Sequence, residues 1–219
     1  MCFLIRLQID FLSMLSDVSH LDFVRFGSRA PVTFPSRFRD NELPKIMANY
    51  STPERRLFVV TQFNHSKEIT KQSTEAVDNL IKSGVVVNNQ TVLLKGVNDS
   101  VETLAELQNR LVGIDVNQYY VFQCRPVKRV EKQFQVPICE GIKIIEETKA
   151  RCNGPSKSFR YIMSHKTGKI EIVGIVDDEV YFKYHQAKNI KNLGKIFKRK
   201  IDPKAGWLDD FKSDRNKQA

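Results

Sequence analysis

Cysteine is scarce in this chain of 219 residues, and its four copies, at positions 2, 124, 139 and 152, never lie closer than thirteen positions apart. That spacing excludes the paired-cysteine signatures of zinc modules and iron–sulfur sites, so no metal ligands are expected. Each thiol is expected to serve as a small buried apolar side chain. Long hydrophobic runs are missing as well: Leu57 to Val60 and Val85 to Val87 fall far short of the ~20 apolar residues that a membrane span needs. The apolar start Met1-Cys2-Phe3-Leu4-Ile5 is interrupted by Arg6, Gln8 and Asp10, which fails as a secretory signal. These absences point to a soluble protein of the reducing cytoplasm with no membrane partner.

What is present is a core-forming composition, 41% hydrophobic, and a net charge of +10. The charge is unevenly placed. From Gln186 to Ala219 there are ten Lys/Arg against four Asp/Glu, a balance of +6, so the body of the protein is only mildly basic.

The chain alternates strand and helix patterns. Leu21 to Phe26 and Arg56 to Phe63 have strand character. A helix follows with Ile69, Ala76, Val77, Leu80 and Ile81 on one face and Gly84 as its stop. The run from Gln90 through Leu94 into Gly96-Val97-Asn98-Asp99 predicts a strand buried on both faces that ends in a polar loop, where parallel α/β proteins place their chemistry. Asp99, three residues before Glu102, suggests a capping box for a helix with Val101, Leu104, Leu111 and Val112 as its stripe. Tyr119 to Phe122 is another strand, and Pro137 opens a helix with Ile138, Ile142 and Ile145 inward. Such alternation predicts parallel βαβ units, in an open sheet or a barrel. After Arg151 the pattern changes to short strands, Phe159 to Met163, Ile170 to Ile175 and Val180 to Tyr184, expected to form a small antiparallel addition. Pro203 to Ala219 is expected to be a loosely held tail. At the front, Ile9, Phe11, Leu12 and Leu15 form the inward side of a helix, an unusual opening for a parallel sheet, as if something were missing upstream.

Four blocks occur in order: Arg25-Phe26-Gly27-Ser28-Arg29 with Pro31 and Pro35; Phe63-Asn64-His65 with Glu68-Ile69-Thr70; Asn89-Gln90 through Asn98-Asp99; and Tyr119-Tyr120 with Gln123-Cys124. In order and spacing they resemble the lysine 2,3-aminomutase family of radical S-adenosylmethionine enzymes, over roughly Leu12 to Lys169. The resemblance implies an α/β fold, an incomplete parallel (β/α) barrel of the radical S-adenosylmethionine type, corresponding to the later part of that family's catalytic domain. It implies three cofactors: pyridoxal phosphate, S-adenosylmethionine and a 4Fe-4S cluster. The family's cluster cysteines, spaced three and two apart, and its Gly-Gly motif do not occur here, so the chain alone would be inactive.

Residue by residue, Lys169 matches the lysine that carries pyridoxal phosphate, although only Gly168 remains of the glycine run that usually precedes it. A lysine in that role must offer a free amine, which burial favours by lowering its pKa. Gln90 matches the residue expected to hydrogen-bond the adenosyl ribose; its amide has the donor and acceptor that a diol needs, and bonding to loop backbone is the alternative. Arg125 and Ile162 stand where lysine-selective members carry two aspartates. A guanidinium there would repel a distal ammonium and could pair with a carboxylate, as in glutamate-acting relatives, which implies an acidic amino-acid substrate. A solvated basic loop with Lys128, Arg129 and Lys132 is the plainer account of Arg125. A family histidine is replaced by Gln62, while His65 is retained.

The expected organisation is a partial barrel over 1–152, a strand region with the cofactor lysine over 153–186, and a basic tail over 187–219. The leading function is a fragment of an amino-acid 2,3-aminomutase, partnered by an amino-acid substrate and by a complementary N-terminal half or further copies of itself. Two other classes compete. One is a nucleic-acid-binding module in which Phe182, Tyr184 and Phe197 interleave with Lys183, Lys195, Lys198, Arg199 and Lys200; it is the weaker reading, since Phe182 and Tyr184 fit one face of a strand. The other is a non-catalytic orphan fragment.

Overall fold

The computed structural model describes residues 3–39 and 42–211. It is an α/β fold with a mixed eight-stranded sheet whose strands are hydrogen-bonded in chain order. The described residues divide into two compact units: the first holds those up to Phe63, Lys67–Gln90 and Arg110–Gln118, and the second holds Asn64–Ser66, Thr91–Asn109 and those from Tyr119 to Phe211.

In the first unit, helix α1 (Phe3–Ser16) precedes strand β1 (Val24–Gly27), the short helix α2 (Ala30–Thr33) and helix α3 (Glu42–Tyr50). Strand β2 (Leu57–Thr61) then pairs in parallel with β1, and strand β3 (Val86–Leu93), which starts in this unit, pairs in parallel with β2 through Val86 to Asn89. Between them helix α4 (Lys71–Lys82) is capped by Thr70, whose side chain accepts from the Ser73 N–H while the Ser73 hydroxyl accepts from the Thr70 N–H. Ala76, Val77 and Leu80 of α4 are fully buried, and Gly84 at φ +74 ends it, as expected. The opening helix forms as its periodicity predicts. Leu12 packs inside, whereas Phe11 is half exposed.

In the second unit, helix α5 (Val101–Gly113) starts in this unit and strand β4 (Asn117–Gln123) ends in it. The cap of α5 is Ser100 rather than Asp99: the Ser100 hydroxyl accepts from the Thr103 N–H. A short helix α6 (Glu131–Phe134) and helix α7 (Ile138–Arg151) follow, with Ile138, Ile142 and Ile145 buried as expected. Strand β5 (Arg160–His165) pairs in parallel with β4, so it is the last parallel strand and not the start of the antiparallel addition. Strands β6 (Gly168–Val176), β7 (Glu179–Ala187) and β8 (Ile196–Lys200) then form an antiparallel meander with β5. The last of these falls inside the segment expected to be a basic tail.

That tail is not loosely held as far as Phe211. Ala205, Trp207, Leu208 and Phe211 are buried, and Phe211 packs edge-on against Phe182. The expectation of a tail over 212–219 lies outside the described residues. Among the described residues, no helix is long and apolar enough to cross a membrane.

Candidate functional site

The run from Gln90 to Asp99 differs from its expected form. Strand β3 begins four residues earlier, and its burial alternates: Val87, Asn89, Thr91 and Leu93 are buried while Val86, Asn88, Gln90 and Val92 are half-buried. The strand is therefore buried on one face only, and its half-buried face carries Asn88 and Gln90 between Val86 and Val92. The loop beyond it is a lock. Asn98 is fully buried; its side-chain oxygen accepts from the Leu94 N–H at 2.7 Å, and its amide nitrogen donates to the Asn64 and Val92 carbonyls at 2.8 Å each. Gly96 takes φ +72 to close the turn. Within the first unit Asn89 acts likewise, accepting from the Phe63 N–H at 2.7 Å and donating to the Phe63 carbonyl at 3.2 Å. Its neighbour Gln90 lies mid-strand on the opposite face.

Lys169 is the second residue of β6, in a hairpin that turns through Lys166 and Thr167. The turn is tight against its neighbours. Gly168 sits at φ +149, and a Cβ there would overlap the Gln186 carbonyl oxygen, so the one glycine before the lysine is explained by the approach of β7. Lys169 is half-buried, its Nζ 4.8 Å from the centroid of the Tyr120 ring and 6.0 Å from that of Phe122. Those rings are two apart on β4 and so share a face.

Two groups around this lysine have no sequence signature. The first is a clasp on the hairpin. His165 lies 3.1 Å from Asp209 through Nε2 and 2.8 Å from the Thr167 hydroxyl through Nδ1, and Lys166 donates to Asp209 at 2.9 Å. The Lys166 hydrogen bond is the main cause that holds the Asp209 carboxyl below its ordinary range. The second is His185, whose Nε2 lies 2.7 Å from the Tyr120 hydroxyl, with the two rings edge to face. Burial, then the nearby Arg160 cation, pushes the His185 pKa down, which favours the neutral imidazole. The partners of His185 and Asp209 lie dozens of residues away in sequence, and the one local signal is the alternation of Tyr120 and Phe122 on β4.

Arg125 lies beyond the end of β4 in a loop where Arg125 to Arg129 are all exposed. Ile162, in contrast, is fully buried in β5. His65 is half-buried, with Nδ1 3.4 Å from the Ser66 hydroxyl. Cys124 and Cys152 are buried and Cys139 half-buried, and burial raises all three thiol pKa values. Among the described residues no three His, Cys, Asp or Glu side chains are grouped to hold a metal ion. Of the aromatics that interleave with the C-terminal cations, Phe182 is fully buried and stacks on Phe197, whose ring also meets Tyr184.

No family model matches the chain. It is 39% identical over 204 residues to a putative L-lysine 2,3-aminomutase of Aquifex aeolicus, covering 91% of this chain and 54% of that protein. It is 40% identical over 143 residues to the L-lysine 2,3-aminomutase of Clostridium subterminale (65% of this chain, 33% of that one). It is 37% identical over 143 residues to the glutamate 2,3-aminomutase of Clostridioides difficile (65% and 32%). The chain spans about half, or less, of the length of the curated relatives it matches.

Proposed function

Because the chain belongs, over the stretch it shares with these relatives, to the lysine 2,3-aminomutase family, we propose that it is the cofactor-bearing part of an amino-acid 2,3-aminomutase, with Lys169 as the attachment point for pyridoxal phosphate. The observation that carries this reading is the setting of Lys169: a half-buried amine on a strand, over the rings of Tyr120 and Phe122. An amine that is reachable and flanked by aromatic surface fits a planar aromatic aldehyde. Pyridoxal phosphate, when bound, would hold the amino group of the substrate during its transfer between adjacent carbons.

The iron–sulfur cluster does not fit the described residues. The three described cysteines are distant in sequence, burial pushes their thiol pKa values up, and no group of three metal-ligating side chains forms among the described residues. In this reading a cysteine-bearing polypeptide, either a complementary half or another subunit, supplies the cluster within the cytoplasm. Gln90, on the half-buried face of β3, is the candidate contact for the adenosyl group of S-adenosylmethionine.

The proposed substrate is an acidic amino acid. Where the lysine-selective pattern has carboxylates, this chain has the exposed cation Arg125 and the buried, uncharged Ile162, so nothing at either position would neutralise a distal ammonium.

Incubation with pyridoxal phosphate, borohydride reduction and peptide mapping tests the assignment. A pyridoxyl label on Lys169 that disappears in a folded Lys169→Ala variant is expected. A label distributed over surface lysines, or unchanged in that variant, would overturn it.

A further inference from the structure

Lys169 and His185 are neighbours because of an irregularity in the sheet. Strand β6 pairs with β7 as Lys169↔Gln186 and then as Ile170↔Tyr184, so His185 is one residue more than the ladder needs. Bulges of this kind re-aim a side chain and strengthen the local twist. Here the extra residue carries its imidazole to β4, where Nε2 meets the Tyr120 hydroxyl at 2.7 Å. The ring so gripped is the one whose centroid lies 4.8 Å from the Lys169 amine.

We propose that His185 is a positioning residue for Lys169: by gripping the Tyr120 hydroxyl it fixes the aromatic face on which the lysine amine rests. The proposal deepens the reading of Lys169 as the reactive amine, but its physical content concerns the amine alone. A cation over an aromatic face is stabilised by the ring quadrupole. The stabilisation depends on ring orientation, which a phenol anchored at its hydroxyl cannot change freely. Other charged and titratable groups face this imidazole: Arg160 on β5, Glu171 on β6 and Lys183 on β7, besides Lys169 itself. Burial, and then the Arg160, Lys169 and Lys183 cations, oppose its protonation, so the neutral imidazole is favoured in alkaline solution. Replacing it by an uncharged side chain therefore leaves the local charge unaltered there, and any change at Lys169 reports geometry.

The test is competitive labelling of the full chain with isotopically coded acetic anhydride between pH 7 and 11, with peptide mass spectrometry giving the acetylation rate of each lysine. Removing the ring in Tyr120→Leu is expected to speed acetylation of Lys169 at pH 8 about threefold relative to Lys95 as control. His185→Leu and Tyr120→Phe, which break the same bond from its two ends, are each expected to speed it about twofold, and the double variant no more than either alone. His185→Gln, which can still accept the hydroxyl proton, is expected to return towards wild type. Wild-type Lys169 titration in a folded Tyr120→Phe variant, checked by circular dichroism, would overturn the proposal, as would additive effects in the double variant. Failure of pyridoxal phosphate to label wild-type Lys169 would instead refute the cofactor assignment and leave this result standing.

Discussion

Asn98→Ala should be among the most destabilising substitutions in the second unit, although the residue sits in a loop. Asn98 is fully buried, and its side chain satisfies one backbone donor, the Leu94 N–H, and two backbone acceptors, the carbonyls of Asn64 and Val92, at 2.7 to 2.8 Å. Each such bond is worth ~1 kcal/mol net, and a buried donor left without a partner costs ~1–3 kcal/mol. Truncation removes all three bonds at once, so a loss of about 3 kcal/mol is expected. For a chain of this size that corresponds to a melting temperature lower by ~6–12 °C. Thermal denaturation followed by far-ultraviolet circular dichroism, with urea titration as a second measure, reads the effect. Asn98→Asp keeps the acceptor but brings a carboxylate into a buried site without its two donor bonds, and it should be at least as damaging near neutral pH. A fall of less than ~2 °C in Asn98→Ala would mean that the loop relaxes freely, and the account of it as a lock would be wrong.

Gly168→Ala combines a backbone angle essentially reserved for glycine with an overlap on the Gln186 carbonyl, so it should cost ~2–3 kcal/mol in chemical denaturation; a neutral result would mean that the hairpin shifts to accept a side chain. Asp209 has a folded pKa below its ordinary value of 3.8, so the stability it contributes is complete above that value and is lost as pH falls through the lower folded one. Asp209→Asn should accordingly be less stable than wild type at neutral pH and show a shallower loss of stability in acid below pH ~4, measured by urea unfolding across pH; an unchanged acid profile would refute the clasp. Arg125→Ala should leave stability within ~0.5 kcal/mol, because the side chain is exposed. If the substrate reading holds, Arg125→Ala should still weaken the spectral response of the pyridoxal-phosphate-loaded chain to glutamate and leave the response to lysine no weaker.

The helices were legible because they are written in local pattern. Ile138, Ile142 and Ile145 recur at helical spacing after Pro137, and all three are buried. Ser100 and Asp99 are both capable caps, and only the observed bond to the Thr103 N–H separates them. The sheet was less legible. The residues of β5 look the same whether their partner strand runs parallel or antiparallel, and the partner, β4, lies about forty residues earlier, across a helical crossover. Strand β8 was hidden by composition: Ile196, Lys198 and Lys200 are exposed, and on their own they resemble a solvated basic tail. What fixes the strand is the ladder with β7, together with stacking of Phe197 on Phe182.

The same distinction between local and distant information applies to the site. Lys169 could be singled out by resemblance, but its sequence neighbourhood, Lys166-Thr167-Gly168, shows a turn lysine and nothing else. The groups that give it a chemical setting come from strands β4 and β7, and the second of these reaches it through an extra residue in a ladder. Arg125 shows the converse: its charge stands at a matched position, and the structure places it in an exposed loop where that charge is solvated. Its value for an acidic substrate therefore depends on whether binding desolvates it. An exposed pair contributes under ~1 kcal/mol, whereas a desolvated one can separate glutamate from lysine by several. The salt dependence of the glutamate response is thus diagnostic. A response that survives molar salt places Arg125 in a closed site with the substrate, and one abolished by it leaves the guanidinium as part of a basic surface.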